Sequence, residues 1–393
     1  MQFFSLSLSN NSISLIKLLI FFFGFSTMII SCNTSKKKKH TVVKEKSFTN
    51  AVKYAKGFDI QVFDRYKKLV IKSPYPGAKN YQEFILLTNN SLENQFDKGS
   101  TIIIPLKEIV VTSTTHIPML ELLHEENSLI GFPNTDFISS PKTRLLIDKG
   151  LIKEIGNEQD FNTEILISLQ PDAVIGFTMG NTSKMYDIIE KNGIPVIFNS
   201  EWLEETPLGR AEWIKFFGVL FNKDREADSI FRIIENGYNI AKEKAKHARN
   251  RPTVLTGVLY KDKWSLPAGE SFTAQLLKDA NTNYLWSETK GQGSLVLSFE
   301  SVFQKAKNVD FWIGSGYFTS LQDLGVANAH YKEFKPFKDE KIYTFSKKRG
   351  ESNGVLYFEL APIQPHIVLQ DLIKVTHPEV LPMYEPFFLE KVE

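Results

Sequence analysis

Cysteine is nearly missing: a single thiol, Cys32, occurs in 393 residues. That excludes a disulfide framework, a CxxC redox pair and a cysteine-based zinc site. Charge of one sign is equally scarce. Lys plus Arg number 47 against 45 Asp plus Glu, a formal net charge of +2. Nucleic-acid binding by bulk charge and an acidic disordered chain are both excluded by that balance. No segment matches GxxxxGK[ST], GxSxG or HExxH, so phosphate-loop, nucleophile-elbow and zincin chemistry have no basis in the sequence. The seven histidines show no short metal-ligand spacing. What remains is ordinary globular composition, 42% hydrophobic and 23% charged, in a chain long enough for two domains.

The amino terminus carries an address. Leu15 to Ile30 is an apolar run broken by Lys17, too short for a comfortable membrane span of about 20 residues and suited to the core of a secretory signal. It ends in Ile29-Ile30-Ser31-Cys32, which resembles a bacterial lipobox, where the cysteine is lipidated and becomes the new first residue. Asn33-Thr34-Ser35 and the basic run Lys36 to Lys39 follow, reading as a solvated tether. The expected order is signal peptide 1–31, tether 32–50, first lobe 51–222, connecting helix 223–250 and second lobe 251–393. No nucleic-acid partner is expected, and the membrane is reached through lipid on Cys32.

From Ile103 the chain alternates β-rich runs with helical patterns, the mark of parallel α/β layers. Predicted strands are Ile109–Thr112, Ala173–Gly176 and Pro195–Phe198, then Thr253–Leu259, Val309–Ile313 and Ile342–Phe345. Helices are expected over Pro141–Lys149, Ser183–Asn192, Ala211–Phe221, Phe272–Asp279, Glu300–Ala306 and Ile367–Val375. The halves echo each other: Asp172-Ala173-Val174-Ile175-Gly176 resembles Asp310-Phe311-Trp312-Ile313-Gly314. Between them, apolar residues at spacings of three and four from Ala227 to Ala245 predict one long helix over Asp224–Ala248 with Asn222 as its cap. Phe58–Val62 and Lys68–Ile71 alternate as a hairpin turning at Asp64-Arg65, an amino-terminal β addition.

In open α/β sheets ligands collect beyond the carboxyl ends of strands. The segments there offer His116, Phe132, Phe177, Thr178 and Trp202 in the first lobe, and Trp264, Tyr317 and Lys347-Lys348-Arg349 in the second. Rings, hydroxyls and a few charges suit a bulky ligand with an apolar body and polar edges.

Taken in order, Gln170-Pro171-Asp172-Ala173-Val174-Ile175, Gly193-Ile194-Pro195-Val196 and Ser271-Phe272 through Trp286 resemble the periplasmic substrate-binding proteins of ABC importers for ferric siderophores, haem and vitamin B12. The resemblance implies an α/β fold of two Rossmann-like lobes joined by one long rigid helix, a ligand cleft between the lobes, and reversible binding by a monomer that is not an enzyme. It implies a small-molecule metal chelate as cargo and an ABC permease as partner, with Phe177 as a pocket aromatic and Tyr357-Phe358-Glu359 as a late pocket segment. Glu300 corresponds to the second-lobe permease contact, whereas Ser183 stands where the first lobe's acid is expected. A ferric siderophore is the leading ligand, because Arg210 and Lys347–Arg349 can pair with anionic chelate oxygens. Cobalamin follows closely, and haem would take His116 as axial ligand. Rival readings are an extracytoplasmic enzyme or metallochaperone on the same bilobal fold, and a structural lipoprotein whose cleft is filled by its own side chains.

Overall fold

The computed structural model describes residues 49–393 apart from 97–100, 158–159 and 181–183. The signal peptide, Cys32, most of the tether and Ser183 therefore lie outside the described residues.

The amino-terminal addition is larger than a hairpin. Strands β1 (Thr49–Asn50), β2 (Phe58–Val62), β3 (Lys67–Ile71), β4 (Gln82–Leu87) and β5 (Thr101–Ile103) form one sheet in that order. All pairs are antiparallel except β4 with β5. Strand β1 takes in the last two residues expected of the tether. Alternation sends Phe58, Ile60, Leu69, Ile71, Phe84 and Leu86 into the main core. There the Phe58 ring lies 4.4 Å from Trp213.

One parallel sheet and one mostly parallel sheet follow. In the first lobe β6 (Ile109–Val111), β7 (Leu129–Phe132), β8 (Lys153–Glu154), a short β9 (Gly156–Asn157)/β10 (Asp160–Phe161) hairpin, β11 (Ala173–Gly176) and β12 (Val196–Phe198) give the sheet order β12-β11-β6-β7-β8. Helices α1 (Ile117–Leu122), α2 (Pro141–Asp148), α3 (Thr163–Leu169) and α4 (Lys184–Lys191) connect them. Ile109 and Val111 face one core and Val110 another, as a sheet covered on both sides requires. Gln82, at the start of β4, lies against β12. Its amide nitrogen donates to Val196 O and its oxygen accepts from Phe198 N, both at 3.0 Å.

The expected Ala211–Phe221 helix is two, α5 (Pro207–Glu212) and α6 (Ile214–Leu220), with Trp213 between them. Helix α7 (Asp224–Ala245) then runs 22 residues, about 33 Å at 1.5 Å per residue. Its buried positions Ala227, Phe231, Ile234, Tyr238, Ala241 and Ala245 follow the predicted stripe. Asn222 does not cap it. That residue takes a left-handed φ of 54°, and the cap position falls on Lys223.

The second lobe begins with β13 (Thr253–Thr256) and β14 (Val258–Tyr260), expected as one strand but divided at Gly257, whose φ is 75°. Next come β15 (Lys263–Pro267), α8 (Phe272–Asp279), β16 (Asn283–Tyr284), β17 (Ser294–Leu297), α9 (Phe299–Ala306) and β18 (Phe311–Ile313). The chain ends with α10 (Leu321–Ala327), α11 (Lys335–Lys338), β19 (Ile342–Thr344), α12 (Leu356–Leu360), α13 (Pro365–Thr376) and β20 (Glu390–Lys391). The sheet order is β16-β13-β18-β19-β20, with β14-β15-β17 as a separate antiparallel sheet. The sequence echo has a physical basis. Asp172 accepts the main-chain N–H groups of Lys107 and Glu108 just before β6. Asp310 likewise accepts from Thr253 N and Oγ1 at the start of β13. Each aspartate fastens its strand beside the first strand of its own lobe. One apolar core runs from Phe58 to Val392 through both lobes. Gly237 lets α7 approach α13, since a Cβ there would lie 3.2 Å from the His366 ring.

Candidate functional site

A crevice forms at the carboxyl end of a doubly wound sheet where neighbouring strands lead to opposite sides. In the first lobe this point lies between β6 and β11, and in the second between β13 and β18. Just beyond β6, Thr112 Oγ1 accepts the Phe177 N–H at 2.8 Å, fixing the backbone after β11. The Phe177 ring meets Trp202 edge-on at 6.0 Å between centroids. Trp202 sits in a tight turn, Glu201–Leu203, after β12. Its indole N–H is buried without a hydrogen-bond partner among the described residues.

In the second lobe a cavity of about 230 Å³ opens at the ends of β13, β18 and β19, walled by Thr256, Gly314, Tyr317, Phe345, Tyr357 and Phe358 among others. A second cavity, about 460 Å³, lies between the lobes and is lined by Trp202 and Arg210 from one side and Phe272 and Gln292 from the other. Pro267 and Thr273 wall both, so the two spaces are neighbours.

Arg210 links the lobes. Its Nη2 donates to Trp202 O at 2.7 Å and its Nε to Glu204 O at 3.3 Å. Its guanidinium lies 4.2 Å above the Phe272 ring of the opposite lobe. Burial lowers its pKa, opposed by the nearby Glu201 carboxylate. Burial raises Glu201, which accepts the Thr115 hydroxyl at 2.7 Å. Burial pushes the Tyr357 phenol up to about 12, against the charge of Arg210.

Of the residues expected at the site, Trp202, Arg210 and Tyr317 wall these cavities, and Phe177 packs against Trp202. Thr178 is half-buried beside Phe177, its hydroxyl accepting Gly180 N–H at 3.3 Å. Four expectations are corrected. His116 is fully buried against Phe217, burial lowers its pKa to about 3, and neither ring nitrogen has a partner among the described residues. It is a neutral core residue. Phe132 ends β7 with its ring wholly inside the first lobe. Trp264 falls on the inward side of β15, its indole donating to Thr256 O at 3.0 Å. Glu359 is 2% exposed and bridges the lobes instead of walling either cavity, accepting Ser139 N at 2.7 Å and Ser140 N at 3.1 Å. The strand ends were located by pattern, but the side on which each chain emerges was not.

The basic run is also largely committed. Lys347 lies 3.7 Å from Glu393, Lys348 sits over Phe387, and exposed Arg349 donates to Asn353 O. Phe272 and Gln292 are wall residues that the sequence reading did not single out, and Tyr357 and Phe358 of the expected late pocket segment line the second-lobe cavity. The Ser271 cap ahead of Phe272 was the available signal, since its hydroxyl accepts Ala274 N–H and so places the ring at the first helical position. Glu300 is exposed in the first turn of α9, and Asp187 is exposed in the first turn of α4.

Comparison with known proteins places this geometry in context. The sequence profile of the family described as "Periplasmic binding protein" matches residues 109–347. An uncharacterized lipoprotein of Methanocaldococcus jannaschii is 26% identical over 371 residues, covering 88% of this chain and 86% of its own. A second uncharacterized lipoprotein of that organism is 26% identical, with 76% of each chain covered. Among solved structures, a possible iron-binding (periplasmic solute-binding) protein from Staphylococcus epidermidis superposes with a TM-score of 0.55 at 15% identity, over 70% of this chain and all of its own. The periplasmic heme binding protein HutB of Vibrio cholerae gives 0.54 at 14% identity, over 68% of this chain and 99% of its own. Helicobacter pylori CeuE with Ni(II) bound gives 0.54 at 17%, over 72% and 88%.

Proposed function

This chain belongs to the periplasmic binding protein family, the solute-binding class that serves ABC importers, and on that premise we propose that it captures an iron chelate outside the cytosol and delivers it to a membrane permease. The observation that carries the reading is the cavity between the lobes, which holds the Arg210 guanidinium and adjoins an aromatic-walled cavity of the second lobe. Aromatic faces cover the apolar body of a chelate, and a half-desolvated guanidinium favours its anionic oxygens. Arg210 is the basic group that lines the interlobe cavity, whereas Lys347 and Lys348 line neither space. The solved neighbours described as a possible iron-binding protein, a heme binding protein and a Ni(II)-bound protein support metal-containing cargo as a class.

A corrinoid is the second reading, favoured by the mainly apolar second-lobe cavity around Phe345 and Phe358. The haem reading loses its axial ligand, since His116 belongs to the core. Cavities of about 230 and 460 Å³ argue against a cleft filled by its own side chains. The protein is extracytoplasmic and held to the membrane by lipid on Cys32, a reading supported by the family and by lipoprotein relatives. Glu300 is the docking carboxylate offered to the permease. In the first lobe a serine, Ser183, stands where the acid is expected, so exposed Asp187 takes that part in the proposal.

Thermal shift of the purified protein with ferric chelates, cyanocobalamin and haemin tests the assignment. A ligand at about 100 times its Kd stabilises by about 2.7 kcal/mol. A melting temperature raised by cyanocobalamin or haemin and by no ferric chelate would refute the iron reading.

A further inference from the structure

The five-stranded sheet formed by β1–β5 lies outside the region matched by the family profile, which starts at residue 109. It nonetheless reaches the interlobe cavity. The loop between β3 and β4 reads Ser73-Pro74-Tyr75-Pro76-Gly77-Ala78. Pro76 walls the interlobe cavity beside Trp202 and Arg210. It also walls a further space of about 280 Å³, bounded by Tyr75, Ala78, Lys56 and Glu205. These two spaces share Pro76, Leu203, Glu204 and Gln292, so the interlobe cavity is bordered by a further space at the added sheet.

The loop is held in place from several sides. Tyr75 packs edge-on against Phe198 at 5.8 Å. Gln82, where the loop enters β4, is bonded to the β12 main chain. Below it, the buried carboxylate of Glu204 accepts the N–H groups of Lys56 and Gly57 at 2.8–3.0 Å. Two prolines in four residues restrict the backbone further, and Gly77 makes the turn with a φ of 74°. A wall fixed this firmly limits what passes it.

The charges around this extension are satisfied internally. Lys56 pairs with Glu205 at 2.9 Å, Gln292 donates to Glu205, and Glu204 holds main-chain amides. A carboxylate or ammonium entering here would find its counter-charges already paired, whereas a hydroxyl or amide exchanges water hydrogen bonds at little cost. We infer that Ser73–Ala78 is a specificity-determining lip of the interlobe cavity, forming a subsite for a neutral, hydrogen-bonding arm that projects from the bound chelate. The inference rests on the solute-binding reading and goes beyond it by naming the part of the ligand that this chain's own added sheet selects.

The test compares ligands that share a metal core and differ in their arms. One pair is a ferric linear trihydroxamate with amide arms against ferric tris(acetohydroxamate), which has none. The second is dicyanocobinamide, which carries a neutral hydroxypropyl arm on one amide, against dicyanocobyrinic acid heptaamide, which lacks it. Both pairs are titrated by tryptophan fluorescence onto the full chain in detergent, as wild type and as Pro76→Trp, which fills the shared wall. In whichever pair binds wild type, affinity for the armed ligand should fall about tenfold or more while the armless one stays within about twofold. Should Pro76→Trp fail to fold, Ala78→Trp on the same lip substitutes for it. Equal loss for both members, or no loss for either, overturns the inference while leaving solute binding intact. A wild-type protein that binds neither pair overturns the solute reading itself, and the inference with it.

Discussion

Replacing Glu359 by glutamine should make the union of the two lobes insensitive to pH. The Glu359 carboxyl, on α12 of the second lobe, accepts two main-chain N–H groups at the amino end of α2 in the first. Glu121 of the first lobe reaches the same helix end, accepting the Ser140 and Thr143 hydroxyls. Burial raises Glu359 from its ordinary 4.5 to about 7; the two amides pull it down and the Glu121 charge pushes it up. A carboxyl raised on folding binds its proton more tightly in the native state. Its contribution is therefore fully present below pH 4.5 and is lost as pH rises through 7. A shift of that size is worth at most about 3 kcal/mol, or several degrees of melting temperature in a chain this long. In the Glu359→Gln variant the amide oxygen would keep one of the two N–H groups, the amide nitrogen would face the other, and the titration would be removed. Melting temperature followed from pH 5 to pH 8.5 should thus fall less steeply for Glu359→Gln than for wild type. Superimposable profiles would refute the reasoning, because they would mean that ionising this carboxyl has no energetic consequence for closure.

Three further outcomes follow from other groups. Glu212 is fully buried and accepts the N–H groups of Lys53, Tyr54 and Ala55 together with the Lys215 ammonium; Glu212→Ala should cost about 3–5 kcal/mol, and limited proteolysis should cut first near residues 49–56. Glu300→Ala removes an exposed carboxylate, so stability should change by under about 0.5 kcal/mol and ligand affinity should hold. Uptake in cells should fall about tenfold or more, and normal uptake would remove Glu300 from the docking surface. Cys32→Ser should yield a protein recovered in the soluble extracytoplasmic fraction, and mass spectrometry of the wild type should find acyl chains on Cys32.

Local features were legible and long-range ones were not. Helix α8 occupies Phe272–Asp279 as read, because the Ser271 hydroxyl accepts the Ala274 N–H and starts it. Strand β11 is Ala173–Gly176 as read, a short buried run between a polar turn and a glycine. The stripe of α7 emerged from its spacing alone. By contrast, the expected Thr253–Leu259 strand breaks at Gly257 because Ser265 O would lie 2.0 Å from a Cβ there. Close approach of that kind leaves no periodic trace. The bond between Glu359 and Ser139 spans 220 positions, and Glu212 reaches Ala55 across 157. No window of sequence contains both ends. Trp264 illustrates the site-level failure: it was expected in the segment beyond the Thr253–Leu259 strand, but it lies within a strand of its own, β15, whose core-facing side took the indole.

The side chain of Gln82 has a consequence for life on a crowded surface. Strand β12 is the outer strand of its sheet, and an outer strand leaves main-chain groups open to any extended peptide that drifts alongside. Molecules tethered to a membrane meet one another at far higher frequency than in free solution, which makes such an open margin hazardous. A glutamine amide has the donor and acceptor of a peptide unit but continues into no strand. By occupying Val196 O and Phe198 N, it ends the ladder with a group that cannot be extended. At these two groups the edge of the sheet is closed to an added strand by one side chain.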